Sequence, residues 1–321
     1  MNIGFYIKWP KDLGYLKGNV IGDELYANSL IKSISKKFPD IKVDLYAPNY
    51  LPSKRLDVLI YLNDTLPIEK LAKRHVLYMQ NAYAEGSDNA LIRFEKIGYD
   101  GYAFISKKIC DMHINKGYKG IYLPFGVDTE FFYPRPVRKE FEFEVCYVGN
   151  DIKGEYRTRK YIMPALNFNF GLFGNWKPSK YRFRFWRNFK KVPEYKKILS
   201  QVSRGKIPQE DLPFLYSSTK ININCTTQDC VDWDVITLRT YEVIACKGFL
   251  ITDKTETAMK LMGDCMVFTD GDDDMVEKIK YYLNNEKERK EIAERGYAYV
   301  IKNNTIDVIS ERLVNYIMEI Y

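Results

Sequence analysis

Histidine is nearly absent from this chain: His75 and His113 are the only two among 321 residues. With so little imidazole, the sequence argues against a zinc centre and against a Ser-His-Asp hydrolase, both of which lean on histidine. Cysteine is present but unorganised. Cys110, Cys146, Cys225, Cys230, Cys246 and Cys265 form no CxxC pair, and several fall inside apolar strand or helix patterns, so buried reduced thiols are expected. No apolar run reaches about eighteen residues, the length that would suggest a transmembrane helix. The opening Met1-Asn-Ile-Gly-Phe-Tyr-Ile-Lys-Trp-Pro10 lacks the basic-then-apolar layout of a signal peptide, so a cytoplasmic protein is expected. A GxxxxGK[ST] loop is missing too, which disfavours a P-loop NTPase.

What is present is basic, and unevenly so. The chain carries a net charge of +7, yet residues 177–206 alone hold eleven Lys/Arg against one acid, leaving −3 for the remainder. Within that segment Tyr181-Arg-Phe-Arg-Phe-Trp-Arg-Asn-Phe-Lys-Lys191 alternates aromatics with cations. Such interleaving suits stacking on bases, contact with a polyanion or docking on an anionic lipid surface at the inner membrane face, and equally a half-buried edge element with a solvated side.

At 321 residues the chain exceeds the size at which one core usually stops growing, and 46% hydrophobic residues suffice to fill two. Short apolar runs at 2–7, 41–46, 57–62, 75–79, 102–105 and 120–123 alternate with helical patterns such as 24–37 and 106–115. That pattern predicts a mostly parallel sheet covered on both faces. The alternation restarts after Pro134-Arg-Pro136, with strands at 143–148, 168–172, 220–224, 249–251 and 265–268 and helices near 156–163, 209–218 and 237–246. The reading is an α/β protein of two domains, 1–135 and 136–304. Its last fifty residues are helical, and the apolar stripe Ile306, Ile309, Leu313, Tyr316 and Ile317 on the helix 305–321 is compatible with packing on either domain.

Ligands of open parallel sheets bind outside the carboxyl ends of the strands, so the loops that follow strands are the ones to inspect. After the first strand, Lys17-Gly18-Asn19-Val-Ile-Gly22-Asp23-Glu24 offers close backbone approach ahead of a helix. After the first strand of the second domain, Gly149-Asn150-Asp-Ile-Lys153-Gly154-Glu-Tyr-Arg157-Thr-Arg159 combines small residues with cations suited to phosphate. The most informative stretch is Asp234-Val-Ile-Thr-Leu-Arg239-Thr-Tyr241-Glu242-Val-Ile-Ala-Cys-Lys-Gly248-Phe-Leu-Ile-Thr-Asp253, a helix that Gly248 is placed to end, followed by a strand. Arg239 and Glu242 share one helical face, where a carboxylate can accept from ribose hydroxyls while the arginine attracts a diphosphate.

These segments resemble the GT-B glycosyltransferases, the glycosyl transferases group 1 family and in particular its spore-maturation-protein CgeB-like group. Leu123-Pro-Phe-Gly-Val-Asp128-Thr-Glu-Phe-Phe-Tyr-Pro134 and Gly205-Lys-Ile-Pro-Gln-Glu-Asp-Leu-Pro-Phe-Leu-Tyr216 extend the likeness from about Leu123 to Tyr321. The resemblance implies two Rossmann-like doubly wound domains facing a cleft. The C-terminal one would hold a nucleotide sugar, the N-terminal one an acceptor, and the terminal helix would cross back onto the latter. It implies a glycosyltransferase of the hexosyltransferase class, needing no metal or other cofactor. Arg157, Lys153 and Asp234 are assigned to catalysis and Gly149, Asn150, Arg239, Tyr241 and Glu242 to the donor. Gly18, Asn19 and Asp23 are assigned to the acceptor side. Retaining members carry two acids separated by seven residues, a spacing that Asp234 and Glu242 have, with aspartate in the first place. The basic segment leaves two further expectations open: an anionic acceptor such as modified DNA, or a plain nucleic-acid-binding protein.

Overall fold

In the computed structural model all residues are described except 13–21, 63, 84–85 and 178–191. The Gly18 and Asn19 expectations, and most of the aromatic-basic stretch, lie outside the described residues. The chain divides into two compact units: residues 1–128, 232–236 and 302–321 form one, and residues 129–231 and 237–301 the other.

Unit 1 is built on a six-stranded parallel sheet, β1 (Asn2–Tyr6), β2 (Lys42–Tyr46), β3 (Leu56–Tyr61), β4 (Ala72–Met79), β5 (Gly101–Phe104) and β6 (Ile121–Tyr122), in the order 2-1-3-4-5-6. The strands are mostly buried, as the continuous apolar runs require once helices cover both faces. Helices α1 (Gly22–Lys37), α2 (Ser87–Ile97) and α3 (Lys107–Ile114) intervene. Helix α3 is capped by Ser106, whose Oγ accepts from Ile109 N at 3.0 Å. The same hydroxyl donates to Trp233 O at 2.6 Å, and Lys108 Nζ donates to Asp232 O at 2.8 Å, which ties the excursion 232–236 into this unit.

The final helix of the chain, α12 (Ile306–Ile320), also lies on unit 1. Its stripe Ile306, Ile309, Leu313, Tyr316 and Ile317 is buried, Ser33 Oγ donates to Asp307 Oδ1 at 2.5 Å, and Tyr316 Oη accepts from Tyr102 N at 2.9 Å. Each fully buried side chain of that stripe contributes about 1.5–3 kcal/mol.

Unit 2 carries a five-stranded parallel sheet of β7 (Val145–Val148), β8 (Phe170–Phe173), β9 (Ile221–Asn224), β10 (Leu250–Asp253) and β11 (Val267–Thr269), in the order 11-10-9-7-8. Its helices are α4 (Glu155–Tyr161), α5 (Glu194–Val202), α6 (Leu212–Ser218), α7 (Gln228–Asp232), α8 (Leu238–Ala245), α9 (Glu256–Met262), α10 (Asp272–Asn284) and α11 (Glu286–Asn303). The central strand β9 reads Ile-Asn-Ile-Asn and is buried throughout. Its amides are satisfied: Asn222 Nδ2 donates to Tyr216 O at 3.2 Å and Phe249 O at 3.3 Å, and the Cys146 thiol donates to Asn222 Oδ1 at 3.1 Å. All six cysteines are free thiols, five of them buried and Cys230 half-buried.

Helix α8 ends at Ala245, and Gly248 closes the turn that follows by donating its N–H to Val243 O at 3.0 Å. Lys247 is left-handed at φ 55°, and Gly248 is required for space, since a Cβ there would meet Asn222 Nδ2 at 2.8 Å and Tyr216 O at 2.9 Å.

Candidate active site

The strand order of unit 2 reverses between β7 and β9, and in parallel sheets such a reversal opens a crevice at the carboxyl ends of the two strands. The loops leaving β7, β9 and β10 supply Gly149–Gly154, Cys225–Thr227 and Asp253 there. Gly149 N donates to Phe173 O at 2.9 Å, and a Cβ on Gly149 would meet the Tyr147 ring at 2.6–2.9 Å, so the loop hugs the sheet. Asn150 Oδ1 accepts from Asn175 N at 2.9 Å, joining this loop to the one after β8.

Arg157 was expected to face a diphosphate. Its guanidinium is instead engaged within the protein: Nε donates to Thr226 O at 2.7 Å, Nη1 to Gln228 Oε1 at 2.8 Å, and Nη2 pairs with Asp253 Oδ2. Asp253 further accepts from Thr226 N at 2.9 Å and Thr226 Oγ1 at 2.7 Å. At 5% and 3% exposure this pair fastens the ends of β9 and β10 to the start of α4, so Arg157 positions the crevice. Asp253, which the sequence reading did not single out, is the hub of that network. Arg159 is on the surface, paired with Glu155 at 2.8 Å.

Lys153, Arg239 and Glu242 differ in kind. Lys153 is half-buried within electrostatic reach of Arg239, Asp253, Cys225 and Cys230, and makes no hydrogen bond or ion pair among the described residues. Burial holds its pKa below the usual lysine value. Arg239, in the first turn of α8, has a buried Nε with no hydrogen-bond partner. Glu242, one turn on, is half-buried without a hydrogen bond among the described residues, and burial raises its pKa, with the Arg239 charge opposing. Arg239 and Glu242 attract one another without forming an ion pair, Tyr216 lies beside the guanidinium, and with Lys153 they leave a net positive charge at the strand-order reversal.

Two other assigned residues are buried. Tyr241, on the inner face of α8, packs into the interior at 1% exposure. Asp234, left-handed at φ 58° and buried, belongs to the 232–236 excursion of unit 1. Asp23 is half-buried in the first turn of α1, next to Glu24, whose carboxylate accepts from Asp12 N at 3.2 Å. Both ring nitrogens of His113 are engaged, by Glu95 and by Lys119 O. Among the described residues no three His, Cys, Asp or Glu side chains gather as metal ligands, and no helix is long and apolar enough to cross a membrane.

Residues 157–315 match the glycosyl transferase-like family model, covering α4 through most of α12. Residues 157–315 thus form a glycosyl transferase-like domain, within a chain of GT-B fold. The chain superposes on sucrose-phosphate synthase from Thermosynechococcus elongatus with a TM-score of 0.67 at 11% identity, over 99% of this chain and 98% of that one. It is equally similar to Anabaena HepE in complex with UDP and glucose, with a TM-score of 0.67 at 12% identity over 99% and 100% of the two chains. The T4 phage β-glucosyltransferase bound to UDP-glucose follows, with a TM-score of 0.61 at 15% identity over 98% of each. At such identities the likeness concerns the fold. No curated protein matches the sequence.

Proposed function

We propose that the crevice of unit 2 binds a nucleoside diphosphate sugar and that the enzyme moves the sugar from it to an acceptor hydroxyl without a metal ion. The observation that carries this reading is the set Lys153, Arg239 and Glu242 by the β7/β9 reversal, two cations to one carboxylate with no ion pair among the described residues and a buried Arg239 Nε that lacks a hydrogen bond. Glu242 accepts from the ribose hydroxyls, and the Gly149–Asn150 backbone lies against the donor. Lys153 and Arg239 face the diphosphate. As the bond from sugar C1 to the phosphate oxygen breaks, negative charge grows on the leaving diphosphate. The two cations are already in place to receive it, which is the role a metal plays elsewhere. The acceptor oxygen forms the new bond to C1 and passes its proton to the departing diphosphate oxygen. UDP is the first nucleotide to test, since UDP and UDP-glucose occupy the similar HepE and phage structures.

A retaining outcome is part of the proposal and rests on the Asp234 and Glu242 spacing. It is tested by the anomeric configuration of the product, read by NMR. Thermal stabilisation across UDP-, GDP-, CDP- and dTDP-sugars tests the donor, since a ligand at a hundred times its Kd adds about 2.7 kcal/mol. Stabilisation by none of them, in wild type that is folded, contradicts the reading. An anionic acceptor is favoured by the net ten positive charges of residues 177–206, a field that steers a polyanion or an anionic surface toward the enzyme.

A further inference from the structure

Unit 2 has a second cavity at the opposite end of its sheet, where the strands begin. Phe143 precedes β7, Lys220 precedes β9 and Phe249 precedes β10, and all three line it together with Arg289 and Lys290 of α11. The volume is about 610 Å³. Strands of four residues put it about 13 Å from the Gly149–Lys153 loop.

The charges around this cavity are unequally matched. Lys290 is paired with Glu286 at 2.5 Å and Lys247 with Glu294 at 2.8 Å, both pairs on the exposed rim. Arg289 differs: at 8% exposure it spends one donor on Tyr282 O, has no other hydrogen bond or ion pair among the described residues, and meets the lining carboxylate of Glu286 only through a longer-range attraction, as Lys220 also does. Lys220 is exposed at the mouth, with no hydrogen bond or ion pair among the described residues. None of the other Arg289 nitrogens is sealed from solvent without a partner, so the free side of the fork is accessible to an anion that fits it. Burial also lowers the Arg289 pKa, which an arriving anion would reverse.

We infer that this cavity binds a small phosphomonoester, its phosphate held by Arg289 and Lys220 and its carbon body resting on Phe143 and Phe249. Arginine's planar fork fits two phosphate oxygens, lysine adds a point charge, and the aromatic walls reward an organic body over a bare ion. The site is independent of the donor crevice and shares no residue with it.

Calorimetric titration of the whole protein with glycerol 3-phosphate, glucose 6-phosphate and inorganic phosphate tests this. The expected result is saturable binding, tighter for the esters than for inorganic phosphate. It should weaken about tenfold or more in Arg289→Gln and in Lys220→Gln, and persist in Arg239→Gln. Lys220 is exposed, so its variant remains informative if Arg289→Gln folds poorly. Binding that both variants leave unchanged, binding that Arg239→Gln abolishes, or no binding up to about 10 mM overturns the inference.

Discussion

Replacing Glu242 by glutamine should change stability and donor binding in opposite directions. In the free protein the carboxylate is half-buried with no hydrogen bond among the described residues, and burial raises its pKa. A carboxyl with a raised folded-state pKa holds its proton more tightly when folded, so the folded state loses stability as pH climbs from the ordinary glutamate range upward. Glutamine carries no such proton, so Glu242→Gln should raise the Tm of the free enzyme at neutral pH. The gap from wild type should widen between about pH 4.3 and pH 7. In the complex the same carboxylate accepts from the ribose, and a hydrogen bond to a charged group contributes about 1.5–3 kcal/mol. Its loss should weaken UDP binding about ten- to a hundredfold. Differential scanning calorimetry across pH and isothermal titration with UDP read the two effects separately. A variant that is less stable than wild type and binds UDP unchanged would refute the reasoning, because Glu242 would then be a structural residue.

Four further outcomes follow from the same geometry. Asp253→Ala should lower stability by about 3–5 kcal/mol in urea denaturation, because it strands the buried Arg157 guanidinium; a loss under about 1 kcal/mol would show that the pair is dispensable. Gly174→Ala should cost several kcal/mol, since φ is 128° and a Cβ would collide with Gly149 O, whereas Gly98→Ala, left-handed at φ 77° and ψ 62° with open space around it, should cost only about 1–2 kcal/mol; equal Tm losses would contradict this. UDP affinity should fall as pH rises toward the depressed Lys153 pKa, and Lys153→Arg should flatten that dependence; identical profiles would remove Lys153 from the diphosphate. Transfer should persist in EDTA, and a full loss restored by manganese or magnesium would count against metal-free chemistry.

The α/β alternation is legible because strand and helix periods differ, and the five strands expected in the second half are the five of its sheet. The short helices α7 and α9 gave no such signal: one has five residues, and the other has seven and follows Thr255, whose side chain makes no cap bond. Arg239 and Glu242 are readable as a pair because three residues on a helix fix their common face. Arg157 misleads because its partner Asp253 lies 96 residues away, and a local motif cannot disclose who will occupy a guanidinium. Nor could the sequence disclose that the segment carrying Asp234 is tied into unit 1 by Ser106 and Lys108, more than a hundred residues earlier. Gly248 follows the helix as its position suggests, and what the sequence does not show is that the missing Cβ makes room for Asn222.

The location of the donor site is tested most directly by hydrogen exchange of backbone amides with and without saturating UDP. The account predicts slowed exchange in the Gly149–Gly154 loop and in the first turn of α8 around Arg239, with the amino ends of β7, β9 and β10 unchanged. Protection confined to unit 1, or to the Ser217–Lys220 end of the sheet, would contradict it.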